Sequence, residues 1–257
     1  MAASGWDPGQ YRRFRDERTQ PFLDLLALVE PAPGMRALDL GCGTGELTRM
    51  LHERLQARET LGLDSSPEML RESAAFAGAG LGFEHGDIAT FAAPGPYDLV
   101  FSNAALHWVP EHPVLFPRLA AILADGGQLA VQMPANFDEP SHTVAREVAA
   151  EAPFRDVLGA RLVSADVLSP SAYAVLLARL GFRAQHVRLQ VYLHRLAGRE
   201  EVVEWVKGSL LADYRRRLPA DLYDRFLARY RERLLARLED THPYLFPFKR
   251  ILLWASR

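Results

Sequence analysis

Leu38-Asp39-Leu40-Gly41-Cys42-Gly43-Thr44-Gly45-Glu46-Leu47-Thr48 sets an acid in an apolar run and follows it with three glycines at alternate positions. Glycine lets a backbone approach a ligand closely, and a helix starting after Gly45 would turn its free N–H groups toward an anion. Strand, glycine turn and helix in succession fit a nucleotide-like cofactor. The dinucleotide fingerprint is G-x-G-x-x-G, whereas here the third glycine comes one residue early, as G-x-G-x-G, which leans away from a nicotinamide dinucleotide.

Helix and strand patterns alternate on both sides of this stretch. Phe22, Leu25, Leu26 and Val29 fall on one face of a helix over 18–29, which Pro31, Pro33 and Gly34 stop. Strands are predicted over 37–40, 60–63, 83–85, 99–102 and 128–132, with helices over 46–55 and 67–76 between them. Ser65 and Ser66 before Pro67 and Glu68 give the second helix a capping hydroxyl, a first-turn proline and an acid. Gly126-Gly127 make a turn before the fifth strand, and Pro134 ends it. The pattern then loosens until a helix over 170–180, closed by Gly181, leads into an alternating strand over 183–194. A last strand is predicted over 251–255. Repeated alternation of this kind is the signature of an α/β fold, an open parallel sheet with helices on both faces.

The chain of 257 residues is 49% hydrophobic and 24% charged, with a formal net charge of -2, enough for one large core in a single domain with insertions. Near-neutral charge argues against coating nucleic acid. Cys42 is the only cysteine, which excludes an intrachain disulfide and fits a cytoplasmic setting. No signal-peptide core or membrane helix is predicted. The eight histidines form no H-E-x-x-H or Cys/His pattern, so no metal site is expected. Between Asp213 and Asp240 eight arginines face six acids, with Leu222, Phe226, Tyr230 and Leu234 on one helical face. That reads as a solvated amphipathic helix, not a nucleic-acid grip.

Two further acids join the glycine loop. Asp64 closes the second strand, where a carboxylate can accept two ribose hydroxyl bonds, and Asp87 with Ile88 follows the third, where the pair could clamp an adenine. Each alone is weak, because an Asp after a strand is often just a helix cap. Three on consecutive strand ends are hard to explain as caps. LDLGCGTG, LGLDSSPEM, HGDIATF, YDLVFSNAALHW and LADGGQLAVQM together resemble the motifs of class I S-adenosylmethionine-dependent methyltransferases. That resemblance covers 37–133. It implies a Rossmann-like seven-stranded sheet whose last strand runs antiparallel. It also places Asp39 near the methionyl amino group, Gly41, Gly43 and Gly45 in the loop, Asp64 on the ribose, and Asp87 with Ile88 on the adenine. Ser65 and Asn103 complete the expected cofactor set.

A narrower resemblance, to the trans-aconitate 2-methyltransferases, runs almost end to end. It is carried by WDPGQYRRFRDERTQPF, SNAALHWVPEH, AVQMPANFDEPSH, YLHRL, WVKGS and FPFKRILLWA, with a poorer match between Ala212 and Thr241. The resulting organisation is an N-terminal helical lid (1–36), a cofactor half (37–133), a substrate-side half (134–196), a helical cap insertion (197–246) and a last strand (247–257).

Ligands in open sheets lie beyond the C-terminal strand ends. Candidates for the substrate are therefore His107 after the fourth strand, Gln132 and Asn136 after the fifth, His194 after the sixth, Arg250 at the start of an antiparallel last strand, and Tyr11 in the lid. A carboxylate acceptor is already ionised at neutral pH and needs no general base, so no catalytic residue is required. Arg250 is the expected carboxylate fork. His107 serves as a donor, or as a base if the acceptor is a phenol or alcohol; both His107 and His194 are equally readable as packing residues. The expectation is a monomeric enzyme esterifying a small polycarboxylic acid, trans-aconitate by resemblance. The alternatives are another small acid, a phenol or a carrier-bound acyl group as acceptor, or a non-catalytic binder of the cofactor.

Overall fold

The computed structural model describes residues 15–159 and 167–257. Seven strands, β1 (Arg36–Leu40), β2 (Glu59–Asp64), β3 (Leu81–His85), β4 (Tyr97–Asn103), β5 (Leu123–Pro134), β6 (Ala184–Leu196) and β7 (Tyr244–Ser256), form one sheet in the order β3-β2-β1-β4-β5-β7-β6. The pairs β1–β2, β1–β4, β2–β3 and β4–β5 are parallel, and β7 runs antiparallel to β5. A mostly parallel sheet with its last strand reversed is thus the observed architecture.

The helices in chain order are α1 (Arg15–Leu26), α2 (Glu46–Leu55), α3 (Pro67–Ser73), α4 (His112–Ala121), α5 (Pro140–Ala149), α6 (Phe154–Leu158), α7 (Pro170–Arg179), α8 (Glu200–Lys207), α9 (Leu210–Arg217) and α10 (Ala220–Leu235). Local chemistry accounts for their starts. The Ser66 hydroxyl accepts from the Met69 N–H at 3.3 Å, with Pro67 in the first turn of α3, and Ser169 caps α7 in the same way.

The chain falls into two compact units, and the divide cuts β6 after Gln190 and β7 after Lys249. The first holds Asp16–Pro134, α7 and Arg250–Arg257. Its core on one sheet face joins Phe22 and Leu25 of α1, Leu51 and Leu55 of α2, and Phe101, Ala130 and Leu252 of the sheet, with Phe22 edge-on to Phe101 at 5.4 Å. The second holds α5, α6 and Val191–Lys249. Its core is aromatic: Phe226 stacks on Tyr214 at 4.7 Å and meets Phe154 edge-on at 5.4 Å. Leu222, Phe226, Tyr230 and Leu234 are the buried face of α10, as their spacing predicts. Arg229 and Arg233 on its other side, with Arg237 just past its end, pair with Glu147 of α5 and with Glu151, two residues beyond α5, which agrees with a solvated amphipathic helix.

Three expectations need correction. The stretch after Pro134 is not irregular: α5 and α6 pack there through Val144, Ala145, Val148 and Phe154. Gly126-Gly127 lie inside β5, not before it, where the β4–β5 register shifts between Tyr97 and Leu99. The last strand begins at Tyr244, seven residues before Ile251, because Phe246, Phe248 and Arg250 alternate inward with Leu245 and Pro247 outward.

Candidate active site

The glycine loop leaves β1 and is bound to β2, for the N–H groups of Gly41 and Cys42 both donate to the Leu63 carbonyl, at 2.8 and 3.0 Å. Gly41 (φ 84°), Gly43 (φ 55°) and Gly45 (φ 80°) all lie in the left-handed region, yet their surroundings differ. A Cβ on Gly41 would come within 2.1 Å of the Ala105 Cβ, and one on Gly45 within 2.7 Å of the Ser73 Cβ. A Cβ on Gly43 would meet nothing within 4 Å. Gly41 and Gly45 therefore let the loop pack, while Gly43 borders open space.

Two carboxylates flank the loop. Asp39 is buried, and its Oδ2 accepts from the Thr48 hydroxyl at 2.6 Å. Burial pushes its pKa up to about 7, against the Thr48 bond that favours the ion, with the Asp64 charge adding to the rise. Asp64 accepts the Gly43 N–H at 2.8 Å on one oxygen and the Ser66 N–H at 2.8 Å on the other. Burial raises its pKa, and the backbone N–H groups of Ser66, Gly43 and Ser65 oppose the rise. Ser65 is exposed and Ser66 is the buried cap. The Cys42 thiol is buried and its pKa is raised, chiefly by that burial.

At the third strand end Asp87 opens a single helical turn: its Oδ1 accepts the Ala89 N–H at 2.9 Å and its carbonyl the Phe91 N–H at 2.7 Å. Ile88 is half-buried in that turn. Asn103 and Gln132 face each other across β4 and β5. Gln132 is fully buried, and among the described residues neither of its amide atoms, nor the Asn103 Oδ1, has a hydrogen-bond partner. Buried amides in a folded protein are nearly always paired, which makes these atoms candidate contacts for a polar ligand.

His107 sits on the short 3-10 turn Leu106–Trp108, its ring 4.6 Å from that of Trp108. His112, the first residue of α4, is buried behind that turn: its Nε2 meets the Leu106 carbonyl at 2.9 Å, and its Nδ1 the Tyr173 hydroxyl. Arg250 is buried on β7 opposite Pro134. It is the seventh residue of its strand, not a residue preceding it. In the second unit, Asn136 is buried and its Oδ1 accepts the Lys249 N–H. His194 is packed against Trp205 at 4.4 Å, with Phe246 and Phe248 around it. Tyr11 lies outside the described residues. Sequence reasoning missed Thr48 and His112, although a threonine on the apolar face of α2 was a signal for the first. Among the described residues no three His, Cys, Asp or Glu cluster to hold a metal ion, and no helix is long and apolar enough to cross a membrane.

A methyltransferase-domain family model matches residues 11–187. The trans-aconitate 2-methyltransferase of Methylobacterium nodulans is 44% identical over 98% of both chains. The chain belongs to the trans-aconitate 2-methyltransferase family. A second member, from Streptomyces avermitilis, is 42% identical over 100% of this chain and 98% of its own. Among solved structures, the YcgJ protein of Bacillus subtilis covers 93% of this chain and 98% of its own with a TM-score of 0.62 at 16% identity, a likeness of fold.

The methyl donor of this methyltransferase is S-adenosylmethionine. The site fits it chemically: the Asp39 and Asp64 carboxylates flank the glycine loop, and the neighbouring strand β4 ends at Asn103, whose Oδ1 has no partner among the described residues, an acceptor-rich set for a molecule that carries ribose hydroxyls and an ammonium.

Proposed function

We propose that this chain esterifies one carboxylate of trans-aconitate with the methyl group of S-adenosylmethionine. The observation that carries this reading is the length of the likeness, 44% identity over 98% of both chains. It extends beyond the cofactor-binding segments to those that differ most among methyltransferases.

The cofactor supplies a methyl group bound to a positively charged sulfur. The acceptor is a carboxylate, ionised at neutral pH, so attack requires no proton transfer. What the protein contributes is alignment, worth about 7 kcal/mol or more for well-oriented partners, and removal of water from two reactants whose charges cancel. Asp64 would hold the ribose, Asp87 and Ile88 the adenine, and Asp39 the methionyl ammonium. The buried Arg250 guanidinium grips a spectator carboxylate by two parallel bonds, and the Gln132 amide donates a further one. His107 lies on the same unit's rim as a donor.

The test contrasts two side chains. Arg250→Ala is expected to lower kcat/KM for the acid by roughly 10²-fold, and Arg250→Lys to recover little of it, because an ammonium cannot form the fork. His107→Ala is expected to cost less than tenfold. A loss of about 10²-fold or more on removing His107, with Arg250→Ala harmless, is the behaviour of a base-dependent enzyme acting on an alcohol or phenol, and would replace this reading.

A further inference from the structure

The turn that carries Asp87 and Ile88 is a single hydrogen-bonded turn that does not continue into a helix. The N–H groups of Thr90 and Phe91 both return to the Asp87 carbonyl, at 3.0 and 2.7 Å, and no further turn follows. An isolated turn is unfavourable, because its nucleus fixes several residues for one or two bonds, and its last carbonyls have no partner within it. Asp87 satisfies the first end itself through the Ala89 N–H. The other end is satisfied from a distant element: Arg118 of α4 donates from Nη1 to the Ala89 carbonyl and from Nη2 to the Phe91 carbonyl, the latter at 3.2 Å.

The helix that presents this guanidinium is itself fixed, with Leu115, Phe116 and Leu119 buried in the core and His112 at its first residue bonded to the Leu106 carbonyl at 2.9 Å. A cation at the carbonyl end of a turn is the favourable sign for its dipole. We infer that Arg118 is a positioning residue for the cofactor: it caps the turn 87–91 from α4, sets the distance between Asp87 and the adenine, and so gives the enzyme its discrimination for an adenine base. The inference rests on the assignment of Asp87 and Ile88 to the adenine.

The experiment measures binding of S-adenosylhomocysteine and of S-inosylhomocysteine, in which a carbonyl oxygen replaces the adenine amino group, by calorimetry on the full chain. Wild type, Arg118→Ala, Arg118→Lys and Asp87→Ala are compared. Arg118 is exposed, so its removal should leave the core intact. Arg118→Ala is expected to weaken the adenosyl ligand about five- to tenfold, the size of a charge-assisted bond lost at a partly exposed site. The inosyl ligand should barely respond, so the preference between the two shrinks. Arg118→Lys, which keeps a cation with several donors, should restore most of that preference. If Asp87→Ala erases the preference and Arg118→Ala leaves it whole, the inference fails while the adenine assignment stands. Should Asp87→Ala leave the preference unchanged, the adenine assignment falls and takes the inference with it. Equal weakening of both ligands by Arg118→Ala would mean a general structural role and would also overturn it.

Discussion

The glycine loop at 38–48 and the helices α8 to α10 hold their shapes by different physics. In the loop the backbone does the work: three left-handed glycines, N–H bonds to the Leu63 carbonyl and to Asp64, and a buried Asp39 bonded to Thr48. Each feature depends on a residue type at one position. In the helices the side chains do the work, through a buried aromatic stack of Tyr214, Phe226 and Tyr230 and a ladder of Arg–Glu pairs reaching α5. Many residues of similar shape would serve there. A region defined by backbone chemistry tolerates little change; one defined by packing can change residue by residue without losing its fold.

The largest expected effect lies in the packed region. Phe226→Ala removes a fully buried ring and should cost about 3–5 kcal/mol of stability, measured by denaturant unfolding, while cofactor affinity at low temperature stays within twofold. A matching loss of affinity would erase the distinction between the regions. Gly41→Ala should cost somewhat less stability, about 2–4 kcal/mol, from a left-handed φ of 84° and a Cβ 2.1 Å from the Ala105 Cβ. Unlike the first, it should destroy cofactor binding. Retained calorimetric affinity in a folded Gly41→Ala protein would show that the loop's shape is not what binds.

A smaller effect sharpens the contrast within the loop. Asp39 is pushed up to about 7 from 3.8 by burial, so the folded protein binds a proton that the unfolded chain has released. Between those values the folded state holds more protons, and stability therefore falls as pH rises through the window and levels off above 7. An ammonium ligand favours the ionised acid, so cofactor affinity should rise severalfold from pH 6 to 8. Asp39→Asn should flatten both curves, and a wild-type affinity that is level across that range would remove Asp39 from the ligand's surroundings.

These differences also govern what was legible in the sequence. Asp39, Gly41, Gly43, Gly45, Asp64 and the Ser66 cap each leave a residue-level mark, and the strands and turns they imply are present with small shifts of their ends. The segment after Pro134 was illegible because two of the buried positions of α5 are alanines, Ala145 and Ala149, which carry little hydrophobic signal, and because Pro140 and Pro153 read as breaks, although Pro140 sits in the first turn of α5 and Pro153 immediately before α6. The length of β7 was hidden by Pro247, which points outward. Partnerships such as His112 with Tyr173 and Arg118 with Phe91 join residues whose spacing in the chain carries no signal at all. Gln132 is legible in the sequence only by its place at a strand end, and its most telling property, two buried amide atoms without partners among the described residues, exists only in three dimensions.

Transfer of labelled methyl from S-adenosylmethionine to a panel of trans-aconitate, cis-aconitate, isocitrate, citrate, simple monoacids and phenols tests the central claim most directly, since esters release their label in base as volatile methanol. The expected result is base-labile product with trans-aconitate far ahead of the other acids and no turnover of phenols. Base-stable product from phenols alone, or cofactor binding without turnover of any acid, would contradict it.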